Sequence, residues 1–210
     1  MKPSVLLLAP LLFTLTACDN DPAKGKAQAT VAAATSAAPV AAGAAKLAFS
    51  NDGSKVEYVG AKITGKHAGG FGSFKGTVSL VDGNPEKSQV TVEIETASLT
   101  SDSDMLTGHL KGADFFDVAK FPKATFTSTA IKAGGSGGAT HTITGNLELH
   151  GVSKSVSFPA TVRVGADSAD VDAEFAINRK DFGIVYAGKP DDLIKDDVAI
   201  KLTVRAKKAS

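Results

Sequence analysis

Four histidines, two acidic pairs and one glycine-rich segment are the features of this 210-residue chain that could carry catalytic or metal chemistry. The acidic pairs, Asp191-Asp192 and Asp196-Asp197, lack the glycine and the terminal glutamate of a calcium loop. Residues 60–67 match the GxxxxGK pattern of a phosphate-binding loop, but His67 replaces the Ser or Thr that would hold magnesium. The sequence thus predicts no metal ion, no cofactor and no catalytic centre. The histidines have no metal-ligand spacing and are expected to make hydrogen bonds instead: His67, His109, His141 and His150.

Cys18, the only cysteine of the chain, has a sequence context that indicates a membrane anchor. It follows Leu15-Thr16-Ala17 and an apolar run, Val5 to Leu15, that is too short to span a bilayer but fits a signal peptide. This context resembles the lipobox of bacterial lipoproteins, which implies removal of residues 1–17 and lipidation of Cys18. We therefore expect a protein of the bacterial cell envelope, anchored to a membrane and facing the periplasm or the cell exterior. An ordinary secretory signal with an incidental cysteine is the alternative.

Residues 18–46 differ in composition from the rest of the chain. From Asp19 to Lys46, twelve of twenty-eight residues are alanine, none is aromatic, and Pro and Gly are scattered among them. The segment has no stripe of large apolar residues with which a helix could dock. It is predicted to be a flexible tether, which as a random coil would hold the following domain roughly 30 Å from the membrane.

The remaining residues, 47–210, alternate between apolar and polar side chains in the manner of strands that are buried on one face. The pattern predicts eight strands, near 54–64, 73–82, 90–95, 122–132, 139–150, 156–164, 171–177 and 198–204. Hairpin-length connections between them predict an antiparallel sheet, and closure into a barrel would remove its edges. The expected fold is all-β, an eight-stranded antiparallel barrel with one or two short helices capping an end.

The expected helix lies in residues 101–120, which break the strand pattern. Leu106 and Leu110 stand at helical spacing, and Ser103 or Asp104 could cap the start of a helix. Two phenylalanines follow and are expected to plug a barrel end. Together with apolar residues of the alternating strands, they form the predicted lining of a tunnel: Val92, Ile94, Phe115, Phe116, Phe126, Leu147, Phe158, Ala160, Val162, Ala173 and Phe175.

Small side chains in this set, and the absence of tryptophan, indicate room for a ligand inside the barrel. Substituting Ala160 or Ala173 by Phe is therefore expected to occlude that room. The charge is balanced, at +1 for the chain, with 19 basic and 20 acidic residues from 47 to 210. This balance gives no reason to expect a nucleic acid as partner.

Residues 54–207 resemble the YceI family, a lipocalin-like group of bacterial proteins that bind polyisoprenoids. The resemblance rests on four segments in order: GFGSFKG at 70–76, ASLTSDSDMLTGHLKGADFFDVAKFPKATFTST at 97–129, GNLELHGVSKSVSFPA at 145–160 and INRKDFGI at 177–184. It implies an extended eight-stranded barrel that encloses a lipid-sized tunnel, with helices near one end.

The expected function is non-enzymatic binding, transport or sequestration of a long apolar lipid, such as a polyisoprenoid or an isoprenoid quinone. The expected partners are this lipid and a membrane, while the sequence leaves monomer and dimer open. Two alternatives remain at this point. The protein could be a small enzyme that acts on an isoprenoid lipid, or a structural, stress-related surface lipoprotein whose barrel is filled by side chains.

Overall fold

The structure, a computed structural model, describes residues 20–208. Cys18 and the predicted signal peptide, residues 1–17, lie outside the described residues. Within residues 20–208, no helix combines the length and the apolar character needed to cross a membrane.

The helices are α1 (Asp104–Lys111) and the 3₁₀ helices Thr96–Ser98, Ser136–Gly138 and Arg179–Phe182. The strands are β1 (Ala27–Gln28), β2 (Thr30–Ala33), β3 (Ala45–Ser50), β4 (Lys55–Lys62), β5 (Gly65–Phe71), β6 (Phe74–Val81), β7 (Asn84–Glu95), β8 (Leu99–Ser101), β9 (Lys123–Ala133), β10 (His141–Leu149), β11 (Val152–Val164), β12 (Ser168–Asn178), β13 (Gly188–Lys189), β14 (Asp192–Leu193) and β15 (Asp197–Lys208).

Eight wall strands close into an antiparallel barrel. Three of them are interrupted: β3 continues into β4, β5 into β6 and β7 into β8, and the pairing resumes after each interruption. The other five are β9, β10, β11, β12 and β15. β15 pairs with β12 on one side and with β3 and β4 on the other, which closes the ring. The predicted eight-stranded antiparallel barrel is confirmed.

The barrel interior is built by the side chains that alternate along each wall strand. On β12, Val171, Ala173 and Phe175 are buried, whereas Asp172 and Glu174 between them are more exposed. Successive side chains of a strand point to opposite faces, so this pattern places the apolar set inside. Burial of that apolar surface is the main favourable contribution to folding.

The two ends of the barrel differ in the length of their connections. At one end, short connections at 82–83, 134–140 and 165–167 join neighbouring wall strands. The other end, which we call the mouth end, carries two long connections, residues 102–122 and residues 179–196. The mouth end therefore has enough chain to build a rim and a partial cover.

The connection before β9 contains α1, the only α-helix among the described residues. The Ser103 hydroxyl caps it by accepting a hydrogen bond from the Leu106 amide. The helix ends at Lys111, before Gly112. One short helix near a barrel end agrees with the prediction from residues 101–120.

The seam between β11 and β12 is paired only near the end opposite the mouth. Four residue pairs join these strands, from Thr161–Asp172 to Val164–Ala169. Toward the mouth end, the N-terminal segment takes over the pairing: β1 runs parallel to β12, and β2 runs antiparallel to β11. Ala29, between β1 and β2, is buried in the core and donates a backbone hydrogen bond to the Ala176 carbonyl.

The prediction of a flexible tether over residues 18–46 is therefore wrong for residues 27–33. Strand addition depends on main-chain groups, and β11 and β12 offer donors and acceptors that would otherwise be unpaired in the wall. Small side chains such as that of Ala29 fit between β11 and β12, so residues 27–33 can pack there although few of their side chains are large and apolar. The first wall strand also starts earlier than expected, because β3 begins at Ala45.

Placing a charge in the seam should displace the N-terminal segment. We expect Ala29→Asp to lower the free energy of unfolding by about 1–3 kcal/mol, because the carboxylate cannot remain unpaired among core side chains. Hydrogen exchange should show that backbone amides of residues 154–157 lose protection. Ala32→Asp is the matched control, because Ala32 is exposed on β2. Equal stability and exchange in the two variants would contradict the insertion.

Candidate functional site

The barrel encloses a cavity of about 600 Å³. This volume lies within the range of roughly 300–1,000 Å³ that is typical of small-molecule sites. The inner face of β15 supplies four apolar residues of its wall: Val198, Ile200, Leu202 and Val204. The lining extends to α1 and to the connection 179–196, but includes none of the described turns at the opposite end. The cavity therefore opens at the mouth end.

Two glycines make room for aromatic rings of the cavity wall. Phe49 on β3 is paired with Gly76 on β6, and a Cβ at Gly76 would overlap the Phe49 ring. Tyr58 on β4 is likewise paired with Gly69 on β5, where a Cβ would overlap the phenol. Both rings line the cavity. Any larger residue at either glycine would push an aromatic ring out of its position.

Most of the residues predicted to line a tunnel lie on the cavity surface. These residues come from β7, β9, β10, β11, β12 and the segment after α1: Val92, Ile94, Phe115, Phe116, Phe126, Leu147, Phe158 and Phe175. Their placement agrees with the alternation of each strand. That they contact a lipid stays a prediction.

Three predicted tunnel residues, Ala160, Val162 and Ala173, do not line the cavity. Ala160 and Ala173 are buried in the core, and Val162 packs against it. The Phe158 and Phe175 rings, two residues away on the same strands, stack across the seam with centroids 4.2 Å apart. These large rings form the wall where the short alanine side chains do not reach. Substituting Ala160 or Ala173 by Phe would also crowd the core in which these alanines are buried, and that it occludes the cavity stays a prediction.

Tyr58 and the pair formed by His67 and Asp102 place polar groups where β4 and β5 approach the mouth. The Tyr58 hydroxyl donates a hydrogen bond of 3.0 Å to the Thr100 carbonyl. His67 Nδ1 lies 3.0 Å from an Asp102 carboxylate oxygen, and this hydrogen bond lowers the pKa of Asp102. Burial and, second, the Asp102 charge raise the pKa of Tyr58 to about 12. At neutral pH the cavity lining thus contains an uncharged phenol and His67, and the ionised carboxylate of Asp102 lies behind His67, outside the lining.

An aromatic cluster covers part of the mouth. Phe115 contacts His109 of α1 and Tyr186 of the connection 179–196, with ring centroids 5.0 and 5.3 Å apart. Phe116 contacts Phe71 of β5, with centroids 5.8 Å apart. Phe115 is buried, whereas Phe116 is half-buried. The predicted position of this pair at a barrel end agrees with the structure, and each phenylalanine joins the helix segment to a different side of the mouth.

Arg179 fixes the second long connection at the mouth. Its guanidinium, almost fully buried, donates hydrogen bonds to the carbonyls of Ile184 (2.7 Å) and Lys195 (3.1 Å). It also lies 3.4 Å from the Asp196 carboxylate. Burial lowers the pKa of Arg179, but its ordinary value is so high that the side chain stays charged. The connection is therefore held by three acceptors around one buried cation.

Sequence reasoning missed the polar and aromatic groups of the mouth, above all Tyr58, Arg179 and Tyr186. Residues 177–184 contribute to the family resemblance, but the spacing of their side chains does not indicate that Arg179 is buried. Within residues 20–208, no three His, Cys, Asp or Glu side chains are grouped in a way that could hold a metal ion. What the arrangement can do is enclose an apolar molecule and meet a polar end at the mouth.

The Tyr58 environment can be tested by titration. Tyr186→Phe leaves Tyr58 as the only tyrosine, and its tyrosinate absorbance should appear with a midpoint near pH 12, because burial disfavours the anion. The folded protein should lose stability as the pH rises above 10, where only the unfolded chain ionises this phenol. Adding Asp102→Asn is the control and should lower the midpoint in part. A midpoint near 10, with the fold intact by circular dichroism, would contradict this placement.

Comparison with known proteins places this chain in a family. Residues 47–206 match the model of the YceI-like domain. UPF0312 proteins of Pseudomonas putida strain W619 and Pseudomonas fluorescens strain SBW25 are each 37% identical over 139 residues, which is 63% of this chain and 71% of each relative.

Solved structures share the architecture. The crystal structure of Burkholderia cenocepacia BcnA is similar with a TM-score of 0.66 and 26% identity, covering 76% of this chain and 99% of that one. A polyisoprenoid binding domain from Saccharophagus degradans has a TM-score of 0.62 at 17% identity, covering 79% of this chain and 99% of that one, and shows the fold alone. With a family model matched over residues 47–206 and relatives above one third identity, the chain belongs to the family of YceI-like domains.

Proposed function

We propose that the protein binds a long apolar lipid of the isoprenoid type inside the barrel, and that it carries or sequesters this lipid without transforming it. The observation that carries the proposal is the cavity of about 600 Å³, apolar along the strands and polar mainly near its mouth. A hydrocarbon chain needs an apolar cavity that excludes water along its length. A polar group at one end of the chain needs hydrogen-bond partners only at the opening.

The binding energy of such a ligand would come from its length. Each methylene group transferred from water into the barrel contributes about 0.8 kcal/mol. The cavity wall offers apolar contacts from Val92 on one side to Leu202 on another, while the Tyr58 hydroxyl and His67 stand near the mouth. A lipid would therefore enter tail first and leave its polar end among these groups.

The comparisons support binding rather than catalysis. YceI-like domains are the family of this chain, and one protein with the same fold is described as a polyisoprenoid binding domain. The cavity also argues against a barrel that is filled by its own side chains. An enzyme acting on the bound lipid remains the competing proposal, and recovery of a chemically altered lipid after incubation would favour it.

The second part of the proposal concerns the cell envelope. Leu15-Thr16-Ala17 before Cys18 supports cleavage and lipidation at this cysteine, which would anchor the protein to a membrane on the periplasmic or outer side. A lipid-binding barrel at that place has direct access to its ligand.

Gly60 offers a way to fill the cavity without disturbing its wall. Gly60 lines the cavity, and a Cβ there would meet nothing within 4 Å. Gly60→Leu should therefore weaken binding of a polyprenol about tenfold or more, because the new side chain displaces several methylene groups of the ligand. Competition with a fluorescent polyprenol analogue, using delipidated protein, measures this effect.

Gly65→Leu is the matched control, because Gly65 also has open space around its Cβ position but does not line the cavity. In the unsubstituted protein, affinity should rise about fourfold for each additional buried methylene and then level off when the cavity is full. Equal affinities of the two variants, or no uptake of polyprenol or quinone by folded protein at micromolar concentration, would refute the cavity proposal.

The anchor is tested by Cys18→Ser, which removes the sulfur that would carry the diacylglycerol. We expect the variant to appear in the soluble fraction, or to keep residues 1–17, because processing depends on the modified cysteine. Cell fractionation and the mass of the N-terminal peptide measure this outcome. Ser36→Ala, in an exposed part of the chain, should stay in the membrane fraction. A Cys18→Ser protein that is processed and resists extraction by high salt would rule out this anchor.

A further inference from the structure

Large apolar side chains are exposed mainly at the mouth end of the barrel. Ile63 in the β4–β5 turn, Met105 on α1, and Val185 and Leu193 in the connection before β15 are 51, 86, 63 and 45% exposed. We call these four residues the apolar rim. The fifth exposed large apolar residue among those described, Val40, lies in the segment that leads into β3. Exposed apolar groups gathered on one side of a soluble domain are typical of a contact surface.

The apolar rim is continuous with the cavity. Met105 lines the cavity as well as the rim. The Ile63 amide donates a hydrogen bond of 3.0 Å to the Leu193 carbonyl, so the turn after β4 and the connection before β15 form one edge of the opening. Any surface that binds to the apolar rim therefore also covers the entrance to the cavity.

The described chain begins at this same rim. The Asn20 side-chain amide donates a hydrogen bond of 2.9 Å to the Ile63 carbonyl, and Lys66 Nζ donates one of 3.0 Å to the Asp21 carbonyl. Cys18 comes two residues before Asn20, and two residues of extended chain span at most about 7 Å. If Cys18 is lipidated, the short distance from Asn20 favours an orientation in which this end of the barrel faces the bilayer.

Charge at the mouth end is balanced. Residues 62–67, which comprise the β4–β5 turn and the adjoining strand ends, contain together with the connections 102–122 and 179–196 eight basic and eight acidic residues. They have no excess positive charge to attract anionic lipids, so contact with a bilayer depends on apolar insertion and not on surface potential.

We propose that the apolar rim is a membrane-docking surface that inserts into the bilayer and holds the mouth of the cavity against it. This inference goes beyond the proposed function, and it rests on the proposed anchor only for the position of Cys18. In the docked orientation, an apolar lipid would pass between the bilayer and the cavity without crossing water. Val185 and Leu193 on one side and Met105 on the other would surround that passage.

The absence of tryptophan from the chain gives a direct test. Val185→Trp and Leu193→Trp each place a single reporter on the apolar rim, at residues that do not line the cavity. Val40→Trp is the matched control, because Val40 is exposed but lies outside the rim. Each full-length protein, purified as the cell processes it, is reconstituted with phosphatidylcholine vesicles, with or without brominated acyl chains.

The rim reporters should shift their emission to shorter wavelength on adding vesicles and lose intensity with brominated lipid, whereas Val40→Trp should do neither. The result should be the same at low and high salt. Rim reporters that are quenched no more than Val40→Trp would overturn the inference. So would a shift that needs no vesicles and grows with protein concentration, which would assign the rim to a second copy of the chain.

Failure of the other proposals would have different signatures. A missing anchor appears as an N-terminal peptide whose mass includes no lipid, whereas a failure of docking appears as unquenched rim reporters in protein that floats with the vesicles. Failure of lipid binding in the cavity appears as equal affinities of Gly60→Leu and Gly65→Leu. Neither of those two measurements depends on where the rim reporters lie.

Discussion

The backbone hydrogen bonds at the seam between β11 and β12 are the constraint on which the rest of the structure depends. A closed barrel leaves no strand edge, but these two strands are joined by only four residue pairs. The N-terminal segment supplies main-chain partners where they part, and the stacked rings of Phe158 and Phe175 span the same region on the inside. The wall therefore stays closed to water around an apolar interior, although it is assembled from distant parts of the chain.

A continuous wall has consequences for the site. Because the sides are sealed, a molecule could reach the cavity only from the mouth end, where two long connections meet. Arg179 holds one of them through backbone carbonyls, and the Phe115 cluster joins it to α1. Polar groups such as Tyr58 can face the cavity there because each has a partner in the protein. Among the described residues, no buried side-chain nitrogen or oxygen lacks a hydrogen-bond partner.

The all-β fold and most of the cavity wall could be predicted, because both follow from a period of two that is visible along each strand. Strand β5 could not be predicted, because residues 65–71 contain three glycines and no β-branched side chain. These residues form a strand because they pair with β4 and β8. The pairing of residues 27–33 with β11 and β12 could not be predicted either, since these partners lie more than a hundred residues away in the sequence. Ala160 and Ala173 were assigned the correct face, but side-chain length decides which inward residues reach the cavity.

Barrel closure also sets an order of events in folding. Ala27 is paired with Phe175, and Ala48 with Lys207, so both closing contacts join residues near opposite ends of the described chain. Contacts of such sequence separation require closure of long loops and form slowly compared with the hairpins between them. The hairpins from β9 to β12 can assemble while the N-terminal segment and β15 are still free. The contacts that enclose the cavity are therefore expected to be among the last to form.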